Sequence, residues 1–89
     1  MAMTTFRYPL FNTDNKRTFP EADYKKAFPD HYTWLIDNGI HFTIEAFYWP
    51  ITKINIEFDV IIEDVVQAVM FRLYTGIVPL DGDLSWSEN

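Results

Sequence analysis

Cysteine is absent from this 89-residue sequence, and glycine is scarce, with only three residues. Without cysteine the chain can form neither a disulfide nor a thiolate metal site, and nothing in the composition points to secretion. Gly39, Gly76 and Gly82 each fit a helix end or a turn, so no glycine-rich loop is left to cradle a phosphate group.

Long apolar runs are also missing. No stretch approaches the roughly 20 consecutive apolar residues that a membrane-spanning helix needs. The N-terminus does not combine a basic segment with an apolar run, which is the pattern of a secretion signal. We therefore expect no membrane partner and a cytoplasmic location.

Basic residues are few and unevenly distributed. Seven Lys and Arg stand against 13 Asp and Glu, which gives a formal net charge of −6. Residues 27–89 contain two basic and ten acidic residues, a balance of −8. Most of the surface should repel a phosphate backbone, so we expect no direct binding of nucleic acid.

Residues with the spacing of a catalytic or metal site are not apparent. His31 and His41 are ten residues apart, and no metal-ligand spacing joins them to the acidic residues, so we interpret both as solvated or locally bonded imidazoles. Asp81-Gly82-Asp83 is typical of a turn and lacks the ligand order of a calcium loop. No nucleophile motif is present. The sequence therefore predicts no enzyme, no metal and no cofactor.

Aromatic residues, in contrast, make up 18% of the chain, within a hydrophobic fraction of 48%. This composition is typical of a folded globular protein, with more aromatics than average. We expect one domain over residues 1–80, followed by an acidic tail over residues 81–89.

Two stretches of alternating polarity predict a β-hairpin. Residues 53–60 place four apolar side chains on one face and four polar ones on the other, and residues 40–48 repeat the pattern. Pro50 favours a chain reversal over residues 49–52. The two strands should pair in antiparallel fashion.

A helix with almost no polar face should follow the hairpin. Asp59 is a candidate N-cap and Gly76 a candidate stop. The spacing of three and four residues predicts a core-facing stripe, which consists of Ile62, Val65, Val66, Val69 and Leu73. Phe71 and Tyr74 lie well off that stripe. A helix that is apolar on most sides is either sandwiched between layers or covered by another chain, so a homo-oligomer is one alternative.

The N-terminal half predicts one strand and two short helices. Phe6 and Tyr8 alternate with polar residues, and Pro9 favours the edge of a sheet because it cannot donate a hydrogen bond. Thr18 and Glu21 form a capping box for the first helix, and Asn38-Gly39 ends the second. Together these elements predict a small two-layer α+β domain, with an antiparallel sheet of about three strands and two to three helices on one face.

The stretch from Phe58 to Tyr74 joins the strand end I-E-F-D to an acidic helix start and to the run A-V-M-F-R-L. It resembles small accessory proteins of large tailed bacteriophages, in which a strand F-x-F-x is followed by E-D-A-x-M-F-K-L. Glu63-Asp64 and residues 68–73 carry the likeness, with residues 65–67 between them. The resemblance implies a viral protein, made in the bacterial cytoplasm, that binds and inhibits or redirects a host or defence protein.

Aromatic residues outside the predicted core rows suggest a protein-binding surface, because aromatic anchors dominate the energy of many interfaces. The hypothesis places a protein partner, from the host or the phage, on the hairpin turn and the last helix. Trp49 and Phe71 would be the anchors, and the full set is Phe47, Trp49, Phe71, Tyr74 and Trp86. The alternative interpretation is that these rings are buried by the N-terminal helices and the tail.

Two other functions remain open from the sequence. An acidic surface could mimic nucleic acid toward a basic protein, with carboxylates in phosphate-like positions; the candidates are Glu45, Glu57, Asp59, Glu63 and Asp64. The chain could also be a minor virion or assembly component.

Overall fold

In a computed structural model, residues 3–13, 19–50 and 54–80 are described. Within these ranges the chain forms four strands and three helices. In chain order they are β1 (Thr4–Arg7), β2 (Phe11–Thr13), α1 (Pro20–Ala27), α2 (Pro29–Asp37), β3 (Phe42–Pro50), β4 (Ile54–Ile62) and α3 (Val65–Thr75). The predicted α+β class with one antiparallel sheet is confirmed.

Strand β4 is the centre of the sheet. β3 pairs with it along its whole length, from Phe42 opposite Ile62 to Pro50 opposite Ile54, so the predicted hairpin is confirmed. β1 and β2 pair with different parts of β4 and therefore share its other edge. The described sheet is thus three strands wide.

A bulge separates β1 from β2. Arg7 is opposite Asp59 and Phe11 is opposite Ile56, so three residues on this edge face two on β4. Pro9 lies within the bulge, where its missing N–H breaks no ladder bond. Its predicted place at the sheet edge is confirmed. After the bulge, β2 continues the edge, with Asn12 opposite Asn55.

The core lies between one face of the sheet and the helices. The inner row of β4 is almost completely buried, as are side chains from the neighbouring strands and from all three helices. The largest of these buried side chains are Phe6, Tyr8, Tyr24, Leu35, Phe58, Val60, Ile62 and Phe71. The opposite face of the sheet carries Arg7, Glu45, Phe47, Glu57 and Asp59, and we call it the open face.

Two of the predicted helix ends are confirmed, and the predicted start of α1 is not. Gly39 (φ 64°) and Gly76 (φ 78°) adopt the left-handed conformation and end α2 and α3, as predicted. The cap of α1 is Phe19, which makes no side-chain hydrogen bond, so the predicted capping box is wrong. Thr18 lies outside the described residues. Glu21 instead accepts a hydrogen bond from the Tyr32 hydroxyl at 2.8 Å.

The segment after α3 returns to the sheet edge. The Leu80 amide donates to the Thr5 carbonyl at 2.9 Å, and Pro79 is buried. The predicted tail over residues 81–89, with its Asp81-Gly82-Asp83 turn, lies outside the described residues. Among the helices that the structure describes, none has the length and apolar character to cross a bilayer.

Candidate protein-binding surface

Helix α3 begins at an aspartate cap. The Asp64 carboxylate accepts hydrogen bonds from the amides of Val66 and Gln67, at 2.8 and 3.2 Å. The predicted cap, Asp59, is wrong, because it lies inside β4. The alternation of apolar and polar residues ends at Ile61, which is apolar where a polar residue is due. The backbone nevertheless continues as a strand to Ile62.

The side chain of Gln67 ties the first turn of α3 to the turn before β3. Its Oε1 accepts from the His41 amide at 3.0 Å, and its Nε2 donates to the Gly39 carbonyl at 3.3 Å. Together with the Asp64 cap, these bonds set the rotation of the helix about its axis. As a result, Ala68 and Phe71 face the sheet and are completely buried.

Phe71 belongs to the core. Its ring lies 4.9 Å from the ring of Phe6 in an edge-to-face arrangement and 5.9 Å from that of Trp34. A partner cannot reach it in this structure. The hypothesis that Phe71 is a surface anchor is therefore wrong, because the sequence pattern assigned the core to the other side of the helix.

That other side faces solvent. Val65, Val66 and Leu73 are 60, 65 and 66% exposed, although the spacing predicted them in the core. Residues two positions apart on a helix point about 160° away from each other, so burying Phe71 turns Leu73 to solvent and leaves Val69 half-buried. We call Val66, Val69, Met70 and Leu73 the outer stripe. Val66, Val69 and Leu73 belong to the stripe that the spacing predicts in the core, whereas Met70 does not, and the structure turns this side of α3 away from the core.

Tyr74 borders the outer stripe. Its ring stacks on Trp34 with centroids 4.7 Å apart and an interplanar angle of 6°. The side chain is still 42% exposed. Tyr74 is thus a rigidly supported aromatic at the junction of α2 and α3.

Phe47 lies on the open face of the sheet. It is 45% exposed, and the Arg7 guanidinium lies 5.7 Å from its ring centroid. Since α3 covers the other face, one flat partner surface cannot contact both Phe47 and Tyr74. The Trp49 side chain and all of Trp86 lie outside the described part of the structure.

Three of the five proposed acidic residues meet on the open face. Arg7 binds both carboxylate oxygens of Asp59, at 2.9 and 3.0 Å, and lies 3.8 Å from Glu57. The hydrogen bond to Asp59 raises the pKa of Arg7. Asp59 is only 3% exposed, whereas Glu45, opposite it on β3, is exposed. The other two acidic residues, Glu63 and Asp64, lie at the start of α3.

His31 takes part in a hydrogen-bonded chain of three side chains. The Tyr8 hydroxyl is 2.6 Å from that of Tyr24 and 2.7 Å from His31 Nδ1. Since a phenol has one proton, Tyr8 donates in one of these bonds and accepts in the other. Burial raises the pKa of both tyrosines and lowers that of His31. The interpretation of His31 as a locally bonded imidazole is confirmed.

His41 lines an open cleft of about 320 Å³ at the end of the hairpin that leads into α3. The cleft is also lined by Phe42, Thr43, Ile61 and Glu63. Within the described ranges, no group of three His, Asp or Glu side chains could hold a metal ion.

Comparison with protein-family models, curated proteins and solved structures finds no match to this chain.

Proposed function

We propose that this protein is a non-enzymatic protein-binding module whose docking surface is the outer stripe of α3. One observation carries the proposal. The inner side of α3 already fills the core, yet Val66 and Leu73 leave about two thirds of their surface, 65 and 66%, in water. Contiguous exposed apolar side chains of this kind mark interaction sites more often than single exposed residues do.

The resemblance of residues 58–74 to phage proteins supports a narrower version of the proposal. In that version the protein is a viral accessory protein of the bacterial cytoplasm that inhibits or redirects a host or defence protein. The outer stripe falls inside this stretch. Tyr74 would extend the docking surface because it borders the stripe and is held by Trp34.

Nucleic-acid mimicry is the second candidate, and Glu45 and Glu57 on the open face favour it. It is the weaker of the two, because two of the other three carboxylates are committed to contacts within the chain. Asp59 is buried against Arg7, and Asp64 caps α3. A role as a minor virion component would require the same outer stripe to contact another structural protein.

A capture experiment with matched variants tests the proposal. The tagged chain, its Leu73→Gln and Val66→Gln variants and an Ile36→Gln control are exposed to host lysate at low and high salt. Ile36 is 53% exposed and lies two positions from Trp34, on the side of α2 away from α3. We expect both stripe variants to lose the captured partner and the control to retain it, with unchanged circular dichroism.

Retention of the partner by Leu73→Gln would contradict the proposal. Capture that disappears at high salt but survives both stripe substitutions would instead favour the acidic mimic, since salt screens exposed charges and leaves apolar contacts intact.

A further inference from the structure

We infer that the partner docks on the outer stripe as a basic amphipathic helix; this inference rests on the proposed function and specifies its partner. The stripe is a ridge of side chains at i, i+3, i+4 and i+7 on a helix that the sheet holds rigidly from behind. Such ridges pack into the grooves of a second helix. Helix-in-groove recognition uses anchors at this same spacing on the partner.

The acidic residues near the outer stripe favour a positively charged partner. Glu63 and Asp64 are exposed at the start of α3, next to the first turn of the stripe. Arg72 is the one basic residue among the described residues 54–80. The whole chain carries −6. A helix with Lys or Arg beside its apolar face would therefore be attracted to this end of the molecule and oriented by it.

The cleft at the end of the hairpin offers a place for one of these cations. Glu63 is exposed and lines the cleft together with Phe42 and Ile61. A Lys or Arg side chain can pack its methylene groups on apolar side chains while its charged end reaches a carboxylate. Glu63 precedes Val66 by three residues, so the cleft lies at the same end of α3 as the first residue of the stripe.

A second copy of this chain fits the surface less well. The stripe spans eight residues, from Val66 to Leu73, or about 10 Å of helix, whereas a stable dimer buries about 800 Å² on each partner. A symmetric pair of α3 helices would also bring two molecules of charge −6 together. A basic helix that reaches from the stripe into the cleft avoids the charge repulsion and adds the cleft to the contact area.

Two designed peptides test the inference. Both are fluorescein-labelled 14-residue helices with Leu at the stripe spacing; one carries Lys at all other positions and the other carries Glu. Each is titrated with the full chain, and fluorescence anisotropy is read near physiological salt. The protein variants are Leu73→Gln, Glu63→Gln and the Ile36→Gln control, and the oligomeric state of each is measured by sedimentation.

We expect the Lys peptide to bind and the Glu peptide not to. Leu73→Gln should weaken binding of the Lys peptide by roughly tenfold or more, because the leucine contact is lost. Glu63→Gln should weaken it by roughly two- to fivefold, as for an exposed ion pair, and Ile36→Gln should leave it unchanged.

Each other outcome overturns the inference in a distinct way. If Leu73→Gln leaves binding of the Lys peptide unchanged, that binding is nonspecific electrostatic attraction, and the inference is refuted. Equal binding of both peptides, still sensitive to Leu73→Gln, would keep the docking surface but refute the basic partner. A dimer that Leu73→Gln dissociates would assign the stripe to a second copy. If neither peptide binds, and Leu73→Gln and Val66→Gln do not change capture from lysate, the proposed function is refuted as well.

Discussion

Two residues on α3, Phe71 and Leu73, allow a direct test of which side of the helix is the core. They are two positions apart and equally apolar, and the sequence pattern and the structure assign them in opposite ways. Phe71 is completely buried against Phe6 and Trp34, whereas Leu73 is 66% exposed. We expect Phe71→Ala to be strongly destabilising and Leu73→Ala to be nearly neutral.

The expected magnitudes follow from burial. Truncating a fully buried phenylalanine to alanine costs about 3–5 kcal/mol of unfolding free energy. The total stability of a chain of this length is on the order of 4–13 kcal/mol. For Leu73 about a third of the side chain is buried, and alanine is the better helix former, so the cost should be at most about 1 kcal/mol.

Urea denaturation followed by far-ultraviolet circular dichroism measures both values, and thermal unfolding checks them. At about 4–8 °C per kcal/mol for a domain of this size, Phe71→Ala should lower Tm by roughly 12 °C or more, or leave the chain unfolded at room temperature. If Leu73→Ala costs as much as Phe71→Ala, the described rotation of α3 is wrong, and the docking surface argued from it is lost.

Two further predictions concern the cap of α3 and the His31 hydrogen bonds. Asp64→Ala should reduce the free energy of unfolding by about 1 kcal/mol, while Asp64→Asn retains most of it, because asparagine is an equally good N-cap; equal losses in urea titrations would argue against capping. The lowered pKa of His31 means that below its ordinary value of 6.5 the unfolded chain binds more protons than the folded one. Stability should therefore fall as the pH drops through 6.5, and more steeply in the wild type than in His31→Gln; parallel pH profiles of the urea midpoint would contradict this.

The sequence alone was sufficient for the elements that local chemistry controls. The alternation in residues 53–60 gave the central strand and its buried row, since period-two polarity has one solution for a half-buried strand. Gly39 and Gly76 marked helix ends because few other residues accept a left-handed backbone. Pro9 marked a sheet edge because it has no amide hydrogen.

The side of α3 that faces solvent could not be predicted in the same way. A stripe of Val66, Val69, Met70 and Leu73 is a correct helical pattern, but α3 has a second apolar side that includes Ala68 and Phe71. Periodicity shows that a side is apolar and does not show which layer it contacts. Residues with two plausible environments remain ambiguous in any single sequence.

The α+β class, the hairpin and the glycine ends of α2 and α3 were therefore determined by the sequence itself, through backbone conformation and the period of apolar residues. The direction in which α3 presents its two apolar sides was decided only by the tertiary structure. The Asp64 cap, the bonds of Gln67 to the turn before β3 and the space beside Phe6 fix that rotation together. The Gln67 bonds and the space beside Phe6 depend on contacts between residues distant in the chain, and the Asp64 cap depends on where β4 ends. No local sequence pattern specifies these features.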